Sequence, residues 1–211
     1  MAPSIARISM GHALDQFGAE GNGTPHANPP AMLIALTESD GLAFDLRYAT
    51  ADNVAGQVIY RRPVAMLVPE ARTALLRARD LAAALGLGLL VYDAFRPLEA
   101  QWALWHAIED KRFVSDPRLG GLHPRGVAVD LTLTEGGAAL PMGTGFDAIE
   151  AESAHGSLGI AAGAQRNRAL LLGIMTAAGW GHYAQEWWHY QLPEPRRYPA
   201  LWATAVPGGP M

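Results

Sequence analysis

Four short stretches of the chain carry side chains that could act together. In "HPRGVAVD", His123 and Asp130 flank Pro124 and Gly126. Imidazole and carboxylate are common zinc donors, and a catalytic zinc takes three protein ligands and keeps one position for water. In "EWWHY", Glu186 and His189 stand three residues apart among Trp187, Trp188 and Tyr190. His189 can supply a third ligand there, and Glu186 a general base for a metal-activated water. In "YDAFRP", Arg96 precedes Pro97, where a strand gives way to a helix. Its permanent charge suits a developing oxyanion. In "MGTGFD", the glycines make a turn that presents Asp147.

Each of these has an ordinary structural reading beside the chemical one. His123 can be a turn histidine, and an aspartate in an apolar strand needs only a hydrogen-bond partner or a cation. Glu186 and His189 can belong to a core strand, Arg96 to a surface ion pair, and Asp147 to a capped turn. The combination favours chemistry, because two histidines, one carboxylate and a spare glutamate form a complete metal site with a base. The spacing adds a condition. Residues seven apart on a strand face opposite ways, so His123 must lie on the loop before the strand that carries Asp130. Glu186 must likewise stand just before the strand that carries His189.

The elements that would position these groups are legible in outline. Ala71, Ala74, Leu75, Ala78, Leu81, Ala82 and Leu85 form an apolar stripe that predicts a helix from Pro69 to about Leu85, with Gly86 as its cap. A second helix follows Pro97 through "LEAQWALWHAIED", and a third is "AQRNRALLLGIMTAAG", closed by Gly179. Strands are expected at "GLLVYDAF", "GVAVDLTLT" and "EWWHYQL", with weaker candidates at "AFDLRYAT" and "GQVIY". The mixture predicts one compact α+β domain over residues 1–211, a small antiparallel sheet with helices packed on it. Residues 1–30 read as a loop-rich segment and 207–211 as a frayed tail. Of the other histidines, His12, His26, His106 and His182 read as structural or solvated, and His155 as the one that lines the cleft.

Composition narrows the function classes. The 211 residues can bury one sizeable core, and a formal charge of −4 gives no reason to expect nucleic acid or an anionic membrane as partner. There is no cysteine, so a metal here must be held by His, Asp or Glu. No signal-like apolar run opens the chain, and no window approaches the roughly 18 apolar residues of a membrane span, which predicts a cytoplasmic protein.

Taken in order, "DLRYATADN", "VYDAFRP", "HPRGVAVDLTL", "MGTGFD" and "EWWHY" resemble the D-alanyl-D-alanine dipeptidases, the VanX-type branch of the zinc D,D-peptidases, from about Asp45 to Leu192. The resemblance implies a compact D,D-peptidase or hedgehog-like α+β domain and one zinc per chain, held by His123, Asp130 and His189. Glu186 would be the general base, Arg96 the transition-state stabiliser, and Asp147 and Tyr48 would face the substrate, a small dipeptide. "DLRYAT" favours the dipeptidase branch over the D,D-carboxypeptidases that share the metal motifs. A non-catalytic zinc module of the same fold is a further alternative, and retention of both Glu186 and Arg96 argues against it. One position departs from the family pattern: Gly121 stands where the family has a serine two residues before the first zinc histidine. That places substrate choice, rather than the metal centre, in question. Wall remodelling, D-Ala-D-Ala salvage and glycopeptide resistance would all use this chemistry.

Overall fold

The computed structural model of the chain describes residues 32–109, 111 and 114–211. The segment expected to be loop-rich, residues 1–30 with His12 and His26, lies outside the described residues. Eleven regular elements follow in order: β1 (Ile34–Ala35), β2 (Ala43–Phe44), β3 (Met66–Leu67), α1 (Pro69–Ala83), β4 (Gly88–Asp93), α2 (Leu98–Ala107), β5 (Ala128–Glu135), β6 (Ala138–Ala139), α3 (Ala162–Ala177), β7 (Gly181–His182) and β8 (His189–Gln191). The main sheet runs β2-β4-β5-β8-β7, with β6 paired to β5, while β1 and β3 form a separate antiparallel pair.

The central strand organises the fold. Every residue of β5 except Glu135 is buried. By strand alternation, Val129, Leu131 and Leu133 share one face. They pack in one core with Ala71, Leu75, Ala78 and Ala82 of α1 and Leu171, Ile174 and Met175 of α3. Asp130, Thr132 and Thr134 take the opposite face and are also buried. Burying this row of polar groups on a central strand is costly unless they find partners, so this face is where a site belongs.

The expected α+β domain is present, with two refinements of the sheet. It is mixed rather than wholly antiparallel, because β2 pairs with β4 in parallel. Between β4 and β5 the register slips: Val91 faces Leu131 and Asp93 faces Asp130, leaving Tyr92 as an extra residue. Such a bulge re-aims side chains, and here it turns Asp93 toward the polar face of β5.

Element ends also differ from the periodic reading. α1 stops at Ala83, and Leu85, expected in the apolar stripe, is 58% exposed beyond it. α2 stops at Ala107, after which Ile108 is extended. Gly179, at φ +99°, closes α3 as expected, with Trp180 N donating to Met175 O. Only His189–Gln191 of "EWWHYQL" is strand, so Glu186 does stand before it. "GQVIY" makes no strand; instead the Ile59 and Tyr60 amides both donate to Tyr48 O. The tail expected to fray is held, since Pro210 O accepts from the Arg61 and Arg62 amides and Gly209 and Pro210 are buried. Among the described residues no helix is long and apolar enough to cross a membrane.

Candidate active site

Three of the singled-out residues meet on the polar face of the sheet. Asp130 of β5 pairs in register with His189 of β8. Although the two are directly opposite, the third member arrives from outside the sheet. His123 opens a short helical turn, His123–Arg125, that Gly126 ends in the left-handed region at φ +67°. The left-handed turn favours glycine at this position, and a Cβ there, 2.5 Å from Leu33 Cδ2, would also displace that side chain. That turn swings His123 back over Asp130, as the spacing demanded.

The donor atoms converge. His189 Nδ1 lies 3.0 Å from Asp130 Oδ1 and 3.2 Å from His123 Nε2, and His123 Nε2 lies 3.3 Å from Asp130 Oδ2. All three residues are buried, and they form the one such cluster of potential ligands among the described residues. Tetrahedral bonds of about 2.0–2.1 Å to zinc place ligand atoms roughly 3.3 Å apart, so the spacing fits that ion. The His123 tautomer fits too. Its Nδ1 faces Ala94 O at 2.6 Å, and a carbonyl can only accept, so Nδ1 carries the proton and Nε2 keeps its lone pair for a metal. Burial by itself pushes the Asp130 carboxyl up, but the His123 and His189 imidazoles outweigh it and hold the group well below the usual carboxylate range.

Around this trio lies a cavity of about 630 Å³, lined among others by Tyr48, Arg96, Asp147, Glu186 and Trp188. Glu186 Oε2 stands 4.0 Å from His189 Nδ1, near the cluster of potential ligands but not in it. Burial pushes its carboxyl up to about 7, a value at which it can accept and return a proton. Arg96 comes from the β4–α2 junction and reaches Asp130 Oδ2 at 3.5 Å. Its guanidinium also lies over the Tyr48 ring, 4.7 Å from the centroid.

Asp147 and Tyr48 are joined across ninety-nine positions of sequence: the Tyr48 hydroxyl donates to Asp147 Oδ2 at 2.6 Å. Asp147 holds a left-handed backbone conformation at φ +58°, unfavourable for a residue with a side chain. The loop tolerates it because it is pinned. Phe146 stacks on Tyr92 at 4.9 Å, and Arg168 of α3 donates to the carbonyls of Met142, Glu152 and Ala154. Trp187 Nε1 donates to Thr144 Oγ1 at 2.9 Å, so one tryptophan of "EWWHY" holds the neighbouring loop while Trp188 faces the cavity. Burial pushes Asp147 up to about 7.

Two expectations fare differently. Gly121 is not part of the cavity lining; it sits at φ +50°, where a Cβ would press on Pro124 Cδ at 3.3 Å. Its neighbour Leu122 does line the cavity. His155 does not line the cleft. Its ring packs against His182 at 5.0 Å and Tyr190 at 6.2 Å, and burial lowers its pKa to about 4. Sequence reasoning passed over Asp93, Tyr60 and Gln101, which surround Arg96. The signal for Asp93 was present, a carboxylate ending an apolar strand three residues before an arginine.

Comparison with known proteins places this geometry in a family. Residues 36–204 match a family model described as D-ala-D-ala dipeptidase. A protein of Escherichia coli (strain K12) named D-alanyl-D-alanine dipeptidase is 44% identical over 161 residues, covering 76% of this chain and 83% of that one. A protein of Enterococcus faecium with the same name is 35% identical over 183 residues, covering 75% of this chain and 91% of its own. One of Streptomyces coelicolor, again of that name, is 34% identical over 178 residues, with 73% and 87% covered. With the family model spanning the whole sheet and every residue of the cavity named above, this chain belongs to the D-Ala-D-Ala dipeptidase family of peptidases.

Proposed function

We propose that this protein is a zinc-dependent dipeptidase that hydrolyses D-alanyl-D-alanine or a closely related small dipeptide. The observation that carries the reading is the convergence of three buried donors, with a proton acceptor on one side and a guanidinium on the other. His123 Nε2, Asp130 and His189 Nδ1 would hold the metal. When bound, zinc supplies Lewis acidity and lowers the pKa of water near it.

The remaining work falls to the chain's own groups. Glu186 takes a proton from the attacking water as its oxygen bonds to the peptide carbonyl carbon. Arg96, itself buried, donates N–H to the carbonyl oxygen as that atom gains charge. Five N–H donors are available on a guanidinium, and the bonds to Asp93, Gln101 and Asp130 leave others for the substrate. As the C–N bond breaks, Glu186 passes its proton to the leaving nitrogen. Asp147, steadied by Tyr48, receives the ammonium of the substrate's first residue, which restricts the site to peptides with a free amino end.

A panel of dipeptides and longer D-Ala-D-Ala-ending peptides, assayed with and without chelator, tests this. Hydrolysis of D-Ala-D-Ala that chelator abolishes and zinc restores is the expected result. Preference for longer peptides would instead assign the chain to carboxypeptidase chemistry, and a zinc-loaded protein inert to every peptide would assign it a binding role.

A further inference from the structure

We propose that Asp93 is a positioning residue for Arg96, and that Tyr60 completes the device by fixing Asp93. This rests on the proposed role of Arg96 in the dipeptidase reaction and extends it to two residues that touch no substrate. Asp93 is 1% exposed and would be costly to bury as an isolated carboxylate. Its two oxygens are divided between two donors: Oδ1 accepts from the Tyr60 hydroxyl at 2.7 Å, and Oδ2 from Arg96 Nε at 2.8 Å. The guanidinium is held from three further directions, by Gln101 Oε1 at 3.1 Å, Asp130 Oδ2 at 3.5 Å and the face of Tyr48.

The backbone shows why the pair is built this way. The bulge at Tyr92 brings Asp93 level with Asp130, so two carboxylates stand side by side on adjacent strands. Arg96, three residues on, lies between them. A carboxylate in the metal trio would draw an unrestrained guanidinium onto itself. Asp93 supplies the competing acceptor that keeps Arg96 aimed at the carbonyl oxygen of the substrate rather than collapsed on Asp130. Tyr60 sits in the core beside Tyr48 at 5.7 Å, so its hydroxyl is a fixed point.

A double-mutant cycle separates positioning from a general structural role. Dipeptide hydrolysis is measured for wild type, Asp93→Asn, Tyr60→Phe and Arg96→Ala, and for Asp93→Asn/Arg96→Ala and Tyr60→Phe/Arg96→Ala. Asp93→Asn is expected to lower kcat roughly ten- to a hundredfold with a much smaller change in KM, and Tyr60→Phe several-fold. In the Arg96→Ala background both should change kcat by less than about twofold. Because His123 Nδ1 lies 3.5 Å from Asp93 Oδ2, zinc content is measured alongside and should be unchanged. The Arg96 Nε–H resonance, followed by NMR in the metal-free protein, should be protected in wild type and exchange faster in Asp93→Asn. Full loss of activity on top of Arg96→Ala, loss of zinc, or unaltered kcat in Asp93→Asn would each overturn the proposal. If Asp93→Asn does not fold, the isosteric Tyr60→Phe pair decides by the same criterion. An Arg96→Ala enzyme as active as wild type would instead refute the role of Arg96 itself.

Discussion

Replacing Glu186 by glutamine keeps the size and polarity of the side chain and removes its ability to take a proton. Burial holds this carboxyl near 7 in the metal-free protein, and a cation at the neighbouring trio favours the charged form and lowers it from there. A base works deprotonated, so wild-type kcat/KM should rise with pH and level off, with an acid limb falling about tenfold per pH unit below a midpoint no higher than about 7. Removing a general base costs roughly 10²–10⁴ in rate, or about 3–5 kcal/mol of barrier. Glu186→Gln should therefore lose activity by that factor and lose the acid limb with it. Its metal should stay, because Glu186 lies outside the converging donor set. Release of free D-alanine followed from about pH 5 to pH 9, with zinc measured on the same samples, reads all three. A variant within tenfold of wild type refutes the base, and one that has lost its zinc shows Glu186 to be a ligand.

Other perturbations probe the surroundings. Asp147→Asn should raise KM roughly tenfold or more while changing kcat less, since it weakens a charge-assisted contact to the substrate's amino end; equal loss in both parameters would count against that contact. Arg168→Met leaves the carbonyls of Met142, Glu152 and Ala154 without their shared donor. A loss of about 3 kcal/mol should lower Tm by roughly 6–12 °C, and KM should rise because the loop carries Asp147; an unchanged Tm would show the loop to be held by other contacts. In the metal-free protein, the Glu186 and Asp147 carboxyls are held up near 7 by burial. Folding favours their neutral forms, so their contribution is complete below about pH 4 and is lost as pH rises through about 7. Chelator-treated protein should lose thermal stability across that window, and zinc should restore most of it at the upper end; a Tm rising with pH there would contradict the burial of both groups.

The departure at Gly121 also has a structural meaning. Its left-handed backbone and the nearness of Pro124 make serine unfavourable at this position, so simply restoring the family residue is expected to strain the turn before His123. Leu122 and Ser115 are among the residues that line the cavity, and residue 121 is not.

How much could be read without the fold varies from residue to residue. The placement of His123 and Glu186 off their strands was legible, because strand alternation would otherwise turn them away from Asp130 and His189. The helices were legible through their apolar stripes, and Gly179 through its place after the last apolar turn. Their ends were not: Leu85 fits the periodicity of α1 but lies beyond its last turn, largely exposed. "GQVIY" has strand-like composition, yet its amides are taken by Tyr48 O, a partner that exists only once distant segments have packed. His155 followed the right loop but turned the other way, toward His182 and Tyr190.

Sequence alone determined the kinds of atoms available, two imidazoles, two carboxylates and a guanidinium, because side-chain chemistry is local. Tertiary structure decided their mutual placement. The Tyr48 bond to Asp147, the bulge that sets Asp93 beside Asp130, and the pairing of Asp130 with His189 each join segments far apart in the chain. No local pattern encodes such contacts, since they depend on how the whole sheet closes over its core.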